Sequence, residues 1–79
     1  MTAETALYYL KDGFSGHVTR LETQGSMRRR LQDIGVIKGA RIKCIMHSLS
    51  GDPAAYLIKG AVIALRSEDS RQIFIYPEK

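Results

Sequence analysis

The chain has 79 residues, 44% hydrophobic and 25% charged, with a formal net charge of +4 and a pI near 9.5. That length holds one small domain and no second core, and the balance is that of a folded rather than a disordered chain. A single cysteine, Cys44, excludes an internal disulfide, and no apolar run approaches the roughly 20 residues of a spanning helix.

The longest early apolar run, Ala6-Leu7-Tyr8-Tyr9-Leu10, is preceded by Glu4 rather than by a basic leader, which argues against a signal peptide. A reducing, cytoplasmic setting is expected, and the positive charge suits an acidic partner. Residues 1–79 read as one domain. Met1 to Thr5 is expected to be a loose end. Ala6 to Leu10 is expected as a short turn or irregular segment covering the core, followed by a turn at Lys11-Asp12-Gly13.

Gly16 to Thr23 is rich in β-branched residues and predicts the first strand. Its apolar positions, Val18 and Leu21, are an odd number apart, so a bulge or burial on both faces is required. Ser26 is a candidate N-cap for the helix that follows. At 100° per residue, Met27, Leu31 and Ile34 fall within about 60° of one another, a narrow apolar stripe. Gly35 stops the helix, Val36 and Ile37 are expected to pack down, and Lys38-Gly39 turns the chain.

Arg41 to Ser48 alternates Ile42, Cys44 and Met46 against Lys43, Ile45 and His47. Ser50-Gly51-Asp52-Pro53 is a turn. Ala55 to Ile58 and Ala61 to Arg66 form a hairpin over Lys59-Gly60, which sets Ile58 opposite Ala61, Leu57 opposite Val62 and Tyr56 opposite Ile63. Ser67 to Ser70 resembles one capped helical turn. Ile73 to Tyr76 is the last strand, with Pro77 unable to extend the ladder. Five antiparallel strands and one helix suggest a small barrel whose closure removes exposed edges.

The chemistry-bearing residues are few. Cys44 and His47 have C-x-x-H spacing, but strand positions three apart face opposite ways and should not share an ion. His17 is distant in sequence. The reading is a buried apolar cysteine with two surface histidines, no intrinsic metal and no cofactor. Nothing lowers the Cys44 pKa, no serine–histidine–carboxylate pattern is visible, and the glycines lead into a strand rather than a phosphate-binding helix, so no enzyme is expected. Arg28, Arg29 and Arg30 fan over about 200° of helix; Arg29 can pair with Asp33 and Arg30 borders the stripe. They form either a solvated face or a docking patch. Scattered aromatics argue against single-stranded nucleic acid, and the absence of tryptophan argues against a proline-reading SH3 groove.

The stretch RLQDIGVIKGARI, Arg30 to Ile42, resembles the Arg-Leu-x-x-[Leu/Met]-Gly-[Leu/Ile/Val]-x-x-Gly-x-x-[Ile/Val] pattern of FeoA-type domains, with Ile34 in place of the commoner leucine or methionine. Leu10 to Gly13 with Gly16 and Val18, the Ser50 to Pro53 turn, and Gly60 with Ile63-Ala64-Leu65-Arg66 agree in order, so the resemblance covers about residues 7 to 76. It implies a mostly-β, SH3-like antiparallel barrel of about five strands with one short helix after the first, a barrel also found in diphtheria-toxin-repressor-type regulators. No helix-turn-helix precedes the barrel, so a complete repressor is not expected. The resemblance further implies a non-enzymatic adaptor, monomeric or weakly oligomeric, acting on FeoB, a membrane transporter with a cytoplasmic GTP-hydrolysing domain. Candidate contact residues are Arg28, Arg29, Arg30, Gly51 and Asp52. The competing readings are a divalent-metal-responsive module using His17, His47 or Cys44, and a nucleic-acid-binding barrel.

Overall fold

The computed structural model describes residues 3–78; of the expected loose end, Met1 and Thr2 lie outside it. The rest of that segment is not loose. Thr5–Ala6 is a strand, β1, and Leu7–Tyr9 is a 3-10 turn. There follow β2 (Ser15–Leu21), α1 (Gly25–Asp33), β3 (Arg41–His47), β4 (Ala54–Ile58), β5 (Ala61–Leu65), the single turn α2 (Ser67–Ser70) and β6 (Ile73–Pro77).

The strands form one antiparallel sheet in the order β1-β6-β2-β3-β4-β5. Two expectations are corrected here. There are six strands, not five, and the sheet does not close: among the described residues, β1 and β5 are unpaired edges. The reason lies in β1, which spans two residues and is held on β6 rather than reaching β5. Pro77 also belongs to β6, paired with Gly16 at the strand end where a missing N–H is tolerated.

The core is continuous and apolar. Val18 of β2, Ile42 and Cys44 of β3, Tyr56 and Ile58 of β4, and Ile73 and Ile75 of β6 are buried with Leu7, the first residue of the 3-10 turn, and Leu10, which follows it. α1 covers one mouth with Leu31, while Met27 and Ile34 pack partly buried beside it, as the stripe predicts. The helix begins two residues earlier than expected: Gln24 is its N-cap, with no side-chain capping hydrogen bond, and Ser26 lies inside it.

Its end is a Schellman turn. The Val36 N–H donates to the Leu31 carbonyl at 2.9 Å and the Gly35 N–H to Gln32 at 3.1 Å. Gly35 takes φ +107°, and a Cβ there would meet Lys59 Cγ at 2.7 Å. Val36 is then buried, whereas Ile37 remains 44% exposed, contrary to expectation.

Two one-residue bulges shape the sheet. In β2 the register shifts between Val18 and Arg20, so Val18 opposes Ile75 and Leu21 opposes Ile73, both on the core side. This resolves the odd Val18–Leu21 spacing. In β3 the register shifts between Cys44 and Met46: Cys44 opposes Tyr56, Met46 opposes Ala55 and His47 opposes Ala54. The expected alternation therefore fails after Cys44, leaving Met46 exposed and His47 on the core side. The β4–β5 hairpin has the register that its Lys59-Gly60 loop predicts, with φ +49° and +82° at the two loop residues.

Replacing Gly35 with valine should lower unfolding free energy by about 2 kcal/mol or more, since a β-branched residue resists positive φ. Urea melts of the two proteins measure it, and an unchanged midpoint would contradict the assigned turn.

Candidate functional site

Two places on the domain gather exposed or reactive groups. The first is a groove between α1 and β5. Its floor is Met27, Leu31, Ile34 and Ile63, and Arg30, Arg66, Glu68 and Asp69 stand around it, enclosing about 450 Å³. β5 is the sheet's free edge here; Val62 is 64% exposed and Ala61 and Ala64 are also exposed.

The helix spacing separates the arginine triplet. Arg30 lines the groove. Arg28 turns back instead and donates to the carbonyls of Leu21 and Thr23 at 2.9 and 3.5 Å, tying α1 to the end of β2. Arg29 is exposed, and the pair expected between it and Asp33 is not among the ion pairs of the described residues. Gly51 and Asp52 do not line the groove; the Asp52 carboxylate accepts the Ser67 N–H at 2.8 Å and its hydroxyl at 3.1 Å, capping α2.

The second place is the corner where the Asp12-Gly13 turn meets the end of β3. The Gly13 N–H donates to the Cys44 carbonyl at 2.7 Å, and the Cys44 N–H to Phe14 at 2.8 Å, so the turn lies against β3. Asp12 Oδ1 then accepts from the His47 backbone N–H at 3.1 Å, is 2.7 Å from His47 Nδ1 and receives the Cys44 thiol at 3.7 Å. Cys44 Sγ is 3.8 Å from His47 Nδ1. The expectation that Cys44 and His47 face opposite ways is thus overturned, because the extra residue Ile45 adds half a period between them. Three residues able to hold a metal ion converge at this corner. His17 is not with them; it sits 3.6 Å from Glu78, which also pairs with Arg41.

Charge follows these contacts. His47, by hydrogen bonding, holds the Asp12 carboxyl below its ordinary range. Burial, then the nearby Asp12 charge, pushes the Cys44 thiol up to about 11, which fits the expectation that nothing activates it as a nucleophile. Burial likewise pushes Tyr56 up to about 12, with the Ser70 hydroxyl acting in the opposite direction. Away from the corner, Thr19 foremost and Arg20 hold Glu4 below its ordinary range, and Arg41 does the same to Glu78.

Sequence reasoning missed Asp12 and Tyr8 as members of this corner. The Asp-Gly turn was visible, but nothing in a linear pattern joins it to a residue 35 positions later.

Comparison with known proteins gives a family for the chain and a shared fold. A family model described as the FeoA domain matches residues 5–77. No curated protein matches the chain. The solution structure of the FeoA protein from Chlorobium tepidum superposes with a TM-score of 0.86 at 29% identity, covering 91% of this chain and 69% of that one. The zinc-complexed FeoA of Stenotrophomonas maltophilia, described as a procaryotic SH3 domain protein, has a TM-score of 0.80 at 21% identity, covering 100% of this chain and 96% of that one. A manganese-dependent transcriptional repressor shares the fold with a TM-score of 0.85 at 21% identity; 95% of this chain covers 41% of it. No helix among the described residues is long and apolar enough to cross a membrane.

Two outcomes test these contacts. Asp52→Ala should cost about 1 kcal/mol of stability through loss of the α2 cap, measured by denaturant unfolding. In the folded chain Asp12, Glu4 and Glu78 are held below their ordinary values of 3.8, 4.5 and 4.5. Their stabilisation is complete above those values and lost as pH falls through the depressed folded ones. Melting temperature should therefore drop progressively below about pH 5, and Asp12→Asn should remove part of that drop.

Proposed function

The chain belongs to the FeoA domain family, and from that premise we propose that it is a non-enzymatic, cytoplasmic adaptor of ferrous iron uptake. It docks on a FeoB-type membrane transporter, at that protein's cytoplasmic GTP-hydrolysing part, and modulates its assembly or activity. The observation that carries this reading is the family match over residues 5–77, which takes in both sheet edges and the groove between α1 and β5.

The groove supplies the physical means. An extended segment of the partner adds to the free edge of β5 by main-chain hydrogen bonds and lays alternate side chains over Leu31, Ile34 and Ile63. Around the groove Arg30 and Arg66 are matched by Glu68 and Asp69, so it is the chain's net charge of +4 that favours an acidic partner and speeds encounter, with Arg30 available to pair with an acidic side chain of the added segment. The weak surface here is Arg28: committed to backbone carbonyls, it has less to offer a partner than Arg30.

Calorimetric titration against the transporter's cytoplasmic part, at near-physiological salt, tests the proposal. Binding is expected, weakened about tenfold or more by Arg30→Glu and less by Arg29→Glu, with thermal melts nearly unchanged in both. No heat of binding at high micromolar concentration would remove the adaptor reading.

A further inference from the structure

The geometry of the Asp12–Cys44–His47 corner points to a binding site for a late first-row divalent cation of the zinc(II), iron(II) and cobalt(II) class. Three kinds of donor meet there: a thiol, an imidazole and a carboxylate, with their ligand atoms within 4.8 Å of one another. A sulfur–nitrogen–oxygen set suits these borderline cations and disfavours magnesium or calcium, which prefer oxygen alone.

The distances are already close to those of a filled site. Bonds of about 2.0 to 2.3 Å at tetrahedral angles put donor atoms about 3.3 to 3.5 Å apart. The observed separations are 3.8 Å from Sγ to Nδ1, 3.7 Å from Sγ to Oδ1 and 2.7 Å from Nδ1 to Oδ1. Movements of about 0.6 Å or less therefore convert a cluster that shares protons into one that shares a cation. The two outer separations shorten, and the Nδ1–Oδ1 pair opens.

Two supports around the cluster suit ligation rather than accident. His47 Nε2 lies 3.3 Å from the Tyr8 carbonyl; an N–H donated there leaves the Nδ1 lone pair directed at the other two donors. The His47 backbone N–H fixes the Asp12 carboxylate at 3.1 Å. The cluster is also reachable. Cys44 is 0% exposed at its floor, while the Asp12 side chain is 57% exposed and opens the site to solvent.

On binding, the Cys44 S–H bond breaks and its proton leaves to solvent, the sulfur keeping the electron pair that it shares with the cation; His47 gives up the Nδ1 proton it shares with Asp12 and carries its N–H on Nε2, facing the Tyr8 carbonyl, and no electron is transferred. Three protein ligands leave at least one coordination position for water or an outside donor. The bound ion also clips the Asp12 turn to the end of β3, two segments otherwise joined here by hydrogen bonds.

Cobalt(II) titration of the reduced, full chain tests this, with absorption spectroscopy and proton–nitrogen NMR as readouts. Expected are a saturable 1:1 complex, a thiolate-to-cobalt charge-transfer band and NMR changes centred on residues near Asp12 and on Cys44 to His47. Because Cys44 lies in the core, the exposed-side variants carry the test. Asp12→Asn and His47→Gln, each shown folded by its NMR spectrum, should weaken binding at least about tenfold, whereas His17→Gln should leave it unchanged. Absence of the thiolate band, undiminished binding in both variants, or loss of binding in His17→Gln would overturn the assignment. None of these readouts involves the transporter, so this proposal and the adaptor reading stand or fall separately.

Discussion

The fold depends on strands that keep one face in the core although their sequences do not alternate strictly, and a single inserted residue is how it does so. A bulge adds half a strand period, so residues three apart come to share a face. Thr19 does this in β2, keeping Val18 and Leu21 both toward β6's Ile75 and Ile73. Ile45 does it in β3, keeping Cys44 and His47 both toward β4. Without the first, Leu21 would leave the core. Without the second, the corner at Asp12 would not exist, because His47 would point away from Cys44.

The bulges also tighten local twist, which lets a six-stranded sheet coil around a core this small. It does not coil to closure. β1 stays on β6, and β5 is left with one ladder of hydrogen bonds and an open edge. The cost of an open edge is the risk of unwanted pairing, and β5's exposed Val62 does nothing to blunt it. On the proposed adaptor reading, this apolar edge beside the groove floored by Leu31 and Ile63 is the surface offered to the partner.

The arginine triplet shows how tertiary contact divides residues that look alike. Arg28 is spent on the carbonyls at the end of β2, Arg29 is exposed, and Arg30 lies over the groove. Asp52 is similarly diverted, from a turn residue open to solvent into the cap of α2. Polar groups near helix ends and strand ends tend to be taken up by unpaired backbone donors and acceptors, since those are the groups that otherwise lack partners.

Much of this was legible in the linear pattern, because its causes are local. The Gly35 stop, the Met27–Leu31–Ile34 stripe and the β4–β5 register follow from backbone freedom, helical period and loop length, all contained within a few residues. The odd Val18–Leu21 spacing called for either a bulge or burial on both faces, and the pairing with β6 chose the bulge. The bulge in β3 was silent: Cys44-Ile45-Met46 is apolar throughout, so either face could have been the buried one. Only the pairing with β4 decided it. That one-residue choice, together with the unclosed edge and the approach of Asp12 to His47, belongs to contacts between distant segments, which no local periodicity encodes.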